Sequence, residues 1–252
     1  MGLALANAFV RAGVQLSLCD RDEAKVGERA AQLGARAYGS AAEMAPVCDL
    51  LVLCVKPGDM KAACESVRGT PALLVSVAAG VSLEAVSAWT ASSRLVRAMP
   101  NTPARIGQGI TALAAHESLG AEDLARATEL FAFAGAVVLV DESQMHAVTA
   151  LSGSGPAFLI AYAEAMIAAG TAQGLAADVA ESLVLATISG TSAWIAASGG
   201  TGLAELRSQV TSKGGTTAAG LGVLQQWGFD GVLRATVEAA SQRSAQMADA
   251  FR

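Results

Sequence analysis

The sequence is short of charged, aromatic and histidine residues, and each shortage narrows the classes of function open to it. Of its 252 residues, 15% are charged and 4% aromatic, while 53% are hydrophobic. Seventeen basic and 22 acidic side chains give a formal net charge of −5 with no basic block, which argues against binding to nucleic acid or an anionic membrane. The high apolar content excludes disorder.

Metal-ligating residues are also too sparse and too widely spaced for a usual zinc site. No CxxC pair occurs, and the candidates stand apart: Cys19, Cys48, Cys54, Cys64, His116 and His146. The sequence has no GxSxG nucleophile motif. No basic segment precedes the first apolar run, so a signal peptide is not expected. We therefore predict a cytoplasmic protein without a metal.

The first 142 residues alternate between short apolar runs and helical patterns. Continuous apolar runs are typical of strands covered on both faces, and their alternation with helices predicts a doubly wound, Rossmann-like parallel sheet. The predicted strands are Val14–Leu18, Leu50–Val55, Leu73–Val77, Leu95–Met99, Ile110–Ala114 and Ala136–Val140. The predicted helices are Asp22–Leu33, Lys61–Val67, Leu83–Trp89 and Ala121–Phe133.

Residues 143–252 show no strand pattern and read as helices separated by glycine clusters. We therefore predict two domains, 1–142 and 143–252, the second all-helical. Within the second, Ser182–Ala204 lacks charged residues, but its serines, threonines and glycines argue against a membrane span. Such a helix, apolar on nearly every side, indicates burial in a helical core or between subunits.

The N-terminal residues have the order of part of a dinucleotide-binding unit. Gly2 is followed by a helical run, a strand and then Asp20, 18 positions after Gly2. Asp20 would bind the ribose hydroxyls of NAD, whereas Arg21 beside it would bind the 2′-phosphate of NADP. The choice between NADH and NADPH therefore stays open.

Further motifs lie where strands end and helices begin. Cys54–Pro57 and Val77–Gly80 follow two strands, at the place where ligands bind open α/β sheets. Met99–Pro103 follows a third, with two prolines beside Asn101 and Thr102. The segment Leu206–Thr217 leads into a helix, and its hydroxyls and backbone N–H groups predict an anion site, with a substrate carboxylate as the natural guest.

Together these motifs resemble the pyrroline-5-carboxylate reductase family along nearly the whole chain. The residues that carry the resemblance are Met1–Gly2, Val55–Pro57, Ala78–Gly80, Met99–Pro103, Leu151–Ala157 and Val210–Thr217. The resemblance implies a Rossmann domain followed by a helical domain that forms a homodimer, in some members a larger ring. It also implies reduction of 1-pyrroline-5-carboxylate to L-proline by NADPH or NADH, the last step of proline biosynthesis.

The resemblance also implies roles for individual residues. The cofactor would contact Gly2, Asp20, Arg21, Cys54, Val55, Lys56, Pro57, Val77, Ala78, Ala79 and Asn101. The substrate would contact Val210, Ser212, Gly214, Gly215, Thr216 and Thr217. Thr217, which would hydrogen-bond the ring nitrogen, and Ser212 are the predicted catalytic residues. A protonated cyclic imine needs no strong general acid, which agrees with the lack of a His/Asp pair in these motifs.

Two departures from the family pattern affect the expectations. Lys213 stands where the family often has proline, and a first strand with the first two motif glycines is missing ahead of Gly2. We interpret this as a misassigned start or a truncation. We expect the neighbours of that strand to be unpaired and cofactor affinity to suffer.

Two alternative functions remain open. The first is a related two-domain imine or β-hydroxyacid dehydrogenase. The lack of lysine in residues 144–169 disfavours the hydroxyacid enzymes, which rely on a lysine in the first interdomain helix. The second is a catalytically impaired dimerisation or ligand-sensing module.

Overall fold

The computed structural model describes residues 1–251 and divides them into two compact units. The first unit contains residues 1–156 together with the segment from Val237 onward, and the second is Ala157–Thr236. These units do not coincide with the two predicted domains, whose boundary after residue 142 remains a prediction.

The first unit alternates strands and helices, as the apolar pattern predicts. Its elements are α1 (Gly2–Arg11), β1 (Ser17–Cys19), α2 (Glu23–Leu33), β2 (Arg36–Tyr38), α3 (Ala41–Met44), β3 (Leu50–Leu53), α4 (Met60–Ser66), β4 (Leu73–Ser76), α5 (Leu83–Thr90), β5 (Leu95–Pro100), β6 (Gly109–Ala115), α6 (Ala121–Ala132), β7 (Gly135–Leu139) and α7 (Met145–Val148). Short 3₁₀ turns cover Ala45–Val47, Pro57–Asp59, Thr102–Ile106 and Glu142–Gln144, and a π-helical turn covers Thr149–Gly153. Sequence reasoning missed β2, which is only three residues long.

Five strands form one sheet in the order β3-β4-β5-β6-β7, and β1 and β2 form a separate parallel pair. The pairs β3–β4, β4–β5 and β6–β7 are parallel, as the predicted fold class requires, and β5–β6 is the one antiparallel pair among these strands. The reason is the connection: only Asn101–Gln108 joins β5 to β6. Antiparallel neighbours accept short links, whereas parallel ones need a crossover of a dozen or more residues.

Among residues 1–251, no strand pairing joins the two sheets. β1 and β3 are each the edge strand of their own sheet, and among residues 1–251 no strand pairs with both. Each strand therefore has one side on which its backbone N–H and C=O groups form no hydrogen bonds to a neighbouring strand.

Helices cover both faces of the larger sheet, and the central strand β4 is therefore buried on both sides. Leu73 and Val75 pack with Leu5 and Phe9 of α1 and with Phe131 of α6. The rings of Phe9 and Phe131 meet edge to face, with centroids 5.9 Å apart. On the opposite face Leu74 packs with buried residues of α4 and α5, among them Met60, Cys64 and Val86.

The remaining helices are α8 (Gly155–Ala172), α9 (Ala177–Ala197), α10 (Leu203–Gln209), α11 (Thr216–Gln226) and α12 (Phe229–Asp249). Large apolar side chains on them are exposed in the single chain, including Ile160, Leu183 and Leu233. Two stretches, Glu142–Ala172 and Ala177–Ala197, are long and apolar enough to cross a membrane by length and composition alone. Few large apolar side chains of the second unit are buried within it, Leu206 of α10 being one.

Candidate active site

The predicted cofactor residues of the first unit collect at the carboxyl ends of neighbouring strands. Leu53 of β3 pairs with Ser76 of β4, and Ser76 pairs with Arg97 of β5. The N–H of Val77 donates to the carbonyl of Leu53 at 3.2 Å, so the two strand exits begin side by side. The structure thus brings Cys54–Pro57 and Val77–Ala79 to one edge of the sheet, where open α/β sheets bind ligands.

Gly2 lies against the end of β3. A Cβ atom added to Gly2 would lie 3.1 Å from the Cβ of Cys54, so a side chain at position 2 would require α1 or Cys54 to shift by a few tenths of an ångström. Burial raises the pKa of the Cys54 thiol to about 11. Cys54 is therefore a neutral wall residue rather than a thiolate.

Asp20 and Arg21 follow β1 directly and face solvent. The N–H of Asp22 donates to Asp20 Oδ1 at 3.2 Å, which orients that carboxylate at the start of α2. The guanidinium of Arg21 pairs with Asp59, at the end of the 3₁₀ turn after β3. This contact places the exits of β1 and β3 side by side, as an extended dinucleotide requires. The residues present at these exits therefore fit such a cofactor.

Asn101 has a structural partner in the loop after β5. Its side-chain oxygen accepts the N–H of Ile110 at 3.0 Å and so ties the start of β6 to the end of β5. Nearby, a Cβ on Gly153 would lie 2.6 Å from Cε of Met99, so the π-helical turn packs closely on the Met99–Pro103 loop. The contact of Asn101 with the nicotinamide stays a prediction.

Sequence reasoning missed an ion pair, Arg97 with Glu142, that stabilises the sheet near the ends of β4 and β5. Arg97, 5% exposed in β5, donates through Nη1 to Glu142 Oε1 at 3.2 Å. Burial lowers the pKa of Arg97, and the hydrogen bond to Glu142 opposes that shift. The N–H of Leu83 donates to the same Glu142 oxygen at 2.6 Å. A charged residue inside an otherwise apolar strand is the signal that could have revealed it.

The loop that continues from Ala79 is also held from the C-terminal helix. Gly80 has a φ of +79°, and a Cβ there would lie 3.3 Å from the backbone nitrogen of Ala248. A side chain at this position would meet both left-handed strain and the end of α12. The end of α12 therefore packs directly on the loop that carries Val77–Ala79.

The predicted substrate residues form one loop in the second unit, between α10 and α11. Gly215 is the N-cap of α11, and its N–H donates to the Ser212 carbonyl at 3.1 Å. A Cβ on Gly215 would overlap Ser212 Oγ, so the glycine leaves room for that hydroxyl. Thr216 and Thr217 are the first two residues of the helix, and both are exposed.

The electrostatics of this loop suit an anion. No side chain caps α11, so its first N–H groups are unpaired and point out of the helix at its positive end. Ser212 and Thr216 add hydroxyl groups beside them, and the exposed Lys213 adds a positive charge. The arrangement can bind a carboxylate with backbone and hydroxyl donors.

Known proteins match both parts of the chain. Residues 142–247 match the family model for pyrroline-5-carboxylate reductase dimerisation, and residues 1–80 match that for NADP oxidoreductase, coenzyme F420-dependent. A pyrroline-5-carboxylate reductase from Pseudomonas aeruginosa is 42% identical over 217 residues, 83% of this chain and 78% of the relative.

Solved structures agree with the sequence relatives. A pyrroline-5-carboxylate reductase structure from Coxiella burnetii matches with a TM-score of 0.91 at 29% identity, covering 98% of this chain and 94% of that one. The Plasmodium falciparum pyrroline carboxylate reductase with NADP bound matches with a TM-score of 0.86 at 27% identity, again over 98% and 94%.

The Rossmann-like sheet, the cofactor residues at its strand ends and the helical domain define a two-domain NAD(P)H-dependent oxidoreductase. The chain belongs to the pyrroline-5-carboxylate reductase family. The predicted fold class and family are therefore confirmed.

Proposed function

We propose that the chain reduces the C=N bond of 1-pyrroline-5-carboxylate to give L-proline, with the site residues acting as follows. The observation that carries the proposal is the uncapped N-terminus of α11, flanked by the hydroxyls of Ser212 and Thr216. The substrate's one permanent anion is a carboxylate, and these donors match it.

Thr217 is the residue proposed to hold the ring nitrogen. It is the second residue of α11, one position beyond Thr216 and on the exposed side of the helix start. A hydroxyl there orients the imine while the carboxylate is held by the preceding loop. Because the imine is already protonated, the hydroxyl oxygen accepts a hydrogen bond from the iminium N–H and orients the ring, and the proton stays on nitrogen.

The cofactor-side residues are proposed to bind and orient NAD(P)H, which supplies the hydride when bound. Cys54–Pro57 and Val77–Ala79 form the wall at the sheet edge, and the neutral Cys54 thiol adds no competing nucleophile. Asp20 takes the adenosine ribose. Gly2 lets α1 approach the end of β3. Asn101 fixes the loop after β5 through Ile110 and so sets the far end of this wall.

The exposed apolar surface of α8 and α9 supports a homodimer. A cavity of about 360 Å³ between these helices is lined by Tyr162, Met166, Leu175, Leu183 and Ile188, among others. The dimerisation model covers both helices, and this supports a protein partner for the apolar surface rather than a lipid one. We propose a second copy of the chain as that partner and the cytoplasm as its location.

The test is oxidation of NADPH, with NADH in parallel, when 1-pyrroline-5-carboxylate is added to the chain. We expect turnover with wild type and a fall in kcat on the order of 10- to 100-fold in Thr217→Ala. Thr217→Ser, which keeps the hydroxyl, should retain most of the activity. A Thr217→Ala variant as fast as wild type would refute the proposed role of this residue.

The alternative of a non-catalytic module is separated by binding. A folded dimer that binds neither NADPH nor NADH in an equilibrium titration would favour the module over the reductase. Binding of the cofactor without turnover would instead place the defect at the substrate loop.

A further inference from the structure

Arg21 is held by a carboxylate from another part of the chain. Its Nη1 donates to Asp59 Oδ1 at 3.1 Å, and its Nη2 donates to Asp59 Oδ2 at 2.9 Å. The two parallel hydrogen bonds match the planar guanidinium to the planar carboxylate. Asp59 comes from the 3₁₀ turn Pro57–Asp59, and its own N–H donates to the Lys56 carbonyl at 2.9 Å. The turn that carries Lys56 and Pro57 therefore also positions the partner of Arg21.

This ion pair bears on the choice between the two nicotinamide cofactors. In dinucleotide-binding folds, an acidic residue after the second strand binds the ribose 2′-hydroxyl of NAD, and a nearby arginine accommodates the 2′-phosphate of NADP. Asp20 and Arg21 offer both groups in adjacent positions. The fork of Arg21 that would bind a phosphate is already matched by Asp59. A 2′-phosphate must therefore either displace Asp59 or bind the remaining N–H groups of Arg21, and in both cases it lies beside the charge of Asp59.

The other carboxylates around this position add to the same effect. Asp20 accepts the N–H of Asp22, whose side chain in turn caps α2 by accepting the N–H of Lys25. Burial raises the pKa of the Cys19 thiol, and the charges of Asp20 and Glu43 raise it further, so both carboxylates act on this strand end. A dianionic phosphate gains less binding energy here than a neutral hydroxyl, because the hydroxyl can donate a hydrogen bond to the Asp20 carboxylate.

We propose that Asp59 is a specificity residue for the cofactor, which occupies Arg21 and makes the chain prefer NADH to NADPH. The inference rests on the proposed function, since it needs the adenosine ribose beside Asp20. The side chain of Arg21 is 85% exposed and that of Asp59 is 37% exposed, so the pair is screened and its effect is moderate.

The experiment measures the Kd of NADH and of NADPH separately, by titration of nicotinamide fluorescence in the absence of substrate. Wild type should bind NADH more tightly. Asp59→Asn should tighten NADPH binding about three- to tenfold and leave NADH within about twofold. The gain should disappear in the double variant with Arg21→Ala, because it depends on the released guanidinium. Glu65→Gln, which removes one charge from α4, is the matched control and should leave the ratio of the two constants unchanged.

An unchanged ratio in Asp59→Asn, or a gain that survives Arg21→Ala, would overturn the proposal. Wild type that already prefers NADPH would overturn it too. Failure to bind either dinucleotide would instead remove the proposed function, and with it the ribose placement. Binding constants that change as expected in a chain that does not reduce 1-pyrroline-5-carboxylate would leave this inference standing and refute only the proposed substrate.

Discussion

Arg97 of β5 and Glu142, at the start of the 3₁₀ turn after β7, form an ion pair across 45 positions of sequence, with Nη1 and Oε1 3.2 Å apart. The same Glu142 oxygen accepts the N–H of Leu83, the first residue of α5. One carboxylate thus joins the middle strand of the sheet, the helix after the Val77–Gly80 loop and the segment that leads into α7. Glu142, which is not itself a predicted cofactor residue, therefore holds together the elements that carry the cofactor residues.

Loss of this carboxylate should destabilise the first unit. Glu142→Ala leaves the buried Arg97 charge and the Leu83 N–H without this acceptor, so the free energy of unfolding should fall by about 2–3 kcal/mol. Urea denaturation followed by circular dichroism measures the change. Replacing both charges, in Arg97→Met with Glu142→Gln, should recover part of the loss. Arg29→Ala, which removes an exposed guanidinium that donates to Gln32, is the control and should change stability by less than about 0.5 kcal/mol.

A second prediction concerns the close approach of Gly215 to Ser212. The Cβ of Gly215→Ala would force the Ser212 hydroxyl to rotate away, so the KM for 1-pyrroline-5-carboxylate should rise about three- to tenfold with little change in kcat. Steady-state kinetics should show a similar rise in Ser212→Ala and no further rise in the double variant. Gly27→Ala, at an open position of α2, should leave KM unchanged. Full additivity of the two loop substitutions would contradict a shared cause.

The buried thiols predict a loss of stability at alkaline pH. Burial raises the pKa of Cys64 from 9.0 to about 11, so the folded state keeps this proton longer than the unfolded state. The resulting stability is complete below pH 9 and is lost as the pH rises through 11. Unfolding measured from pH 8 to 11 should show a shallower decline in Cys64→Ala, and Cys48→Ala is the comparison. Equal slopes in wild type and Cys64→Ala would refute this assignment.

The dimer prediction is tested on α9. Leu183 is 54% exposed in the single chain, and a carboxylate at this position would be buried without a partner in an apolar interface. Leu183→Glu should therefore be a monomer at micromolar concentration in sedimentation equilibrium, where we expect wild type to be a dimer. Glu181→Gln, on the same helix, should remain dimeric. A Leu183→Glu variant that sediments as a dimer would place the interface elsewhere.

Much of the fold could be predicted from the sequence because the signals are local. The runs Leu50–Val55 and Leu73–Val77 are continuous apolar segments, and they became β3 and β4 with small differences at their ends. β2 could not be found in this way, since Arg36–Tyr38 has no apolar pattern and takes its conformation from pairing with β1. The direction of β6 could not be found either, because the strand pattern is the same for either direction.

In the candidate site, too, residues close together in the sequence could be predicted and contacts between distant residues could not. Ser212, Gly215 and Thr217 lie within six residues of one another, so the loop and its helix start were visible in the sequence. The partners of Arg21 and Arg97 were not, since they lie 38 and 45 positions away. A sequence of this kind shows which residues carry charge but not which charges meet.

By itself, therefore, the sequence determined the class of each long element, the order of two unlike halves and the family motifs, because periodicity and capping act over a few residues. Only the tertiary structure decided that β5 and β6 run in opposite directions, that Glu142 supports the sheet edge and that Asp59 occupies Arg21. These outcomes depend on pairing between distant segments, and a pairing of that kind becomes definite only when the chain is packed.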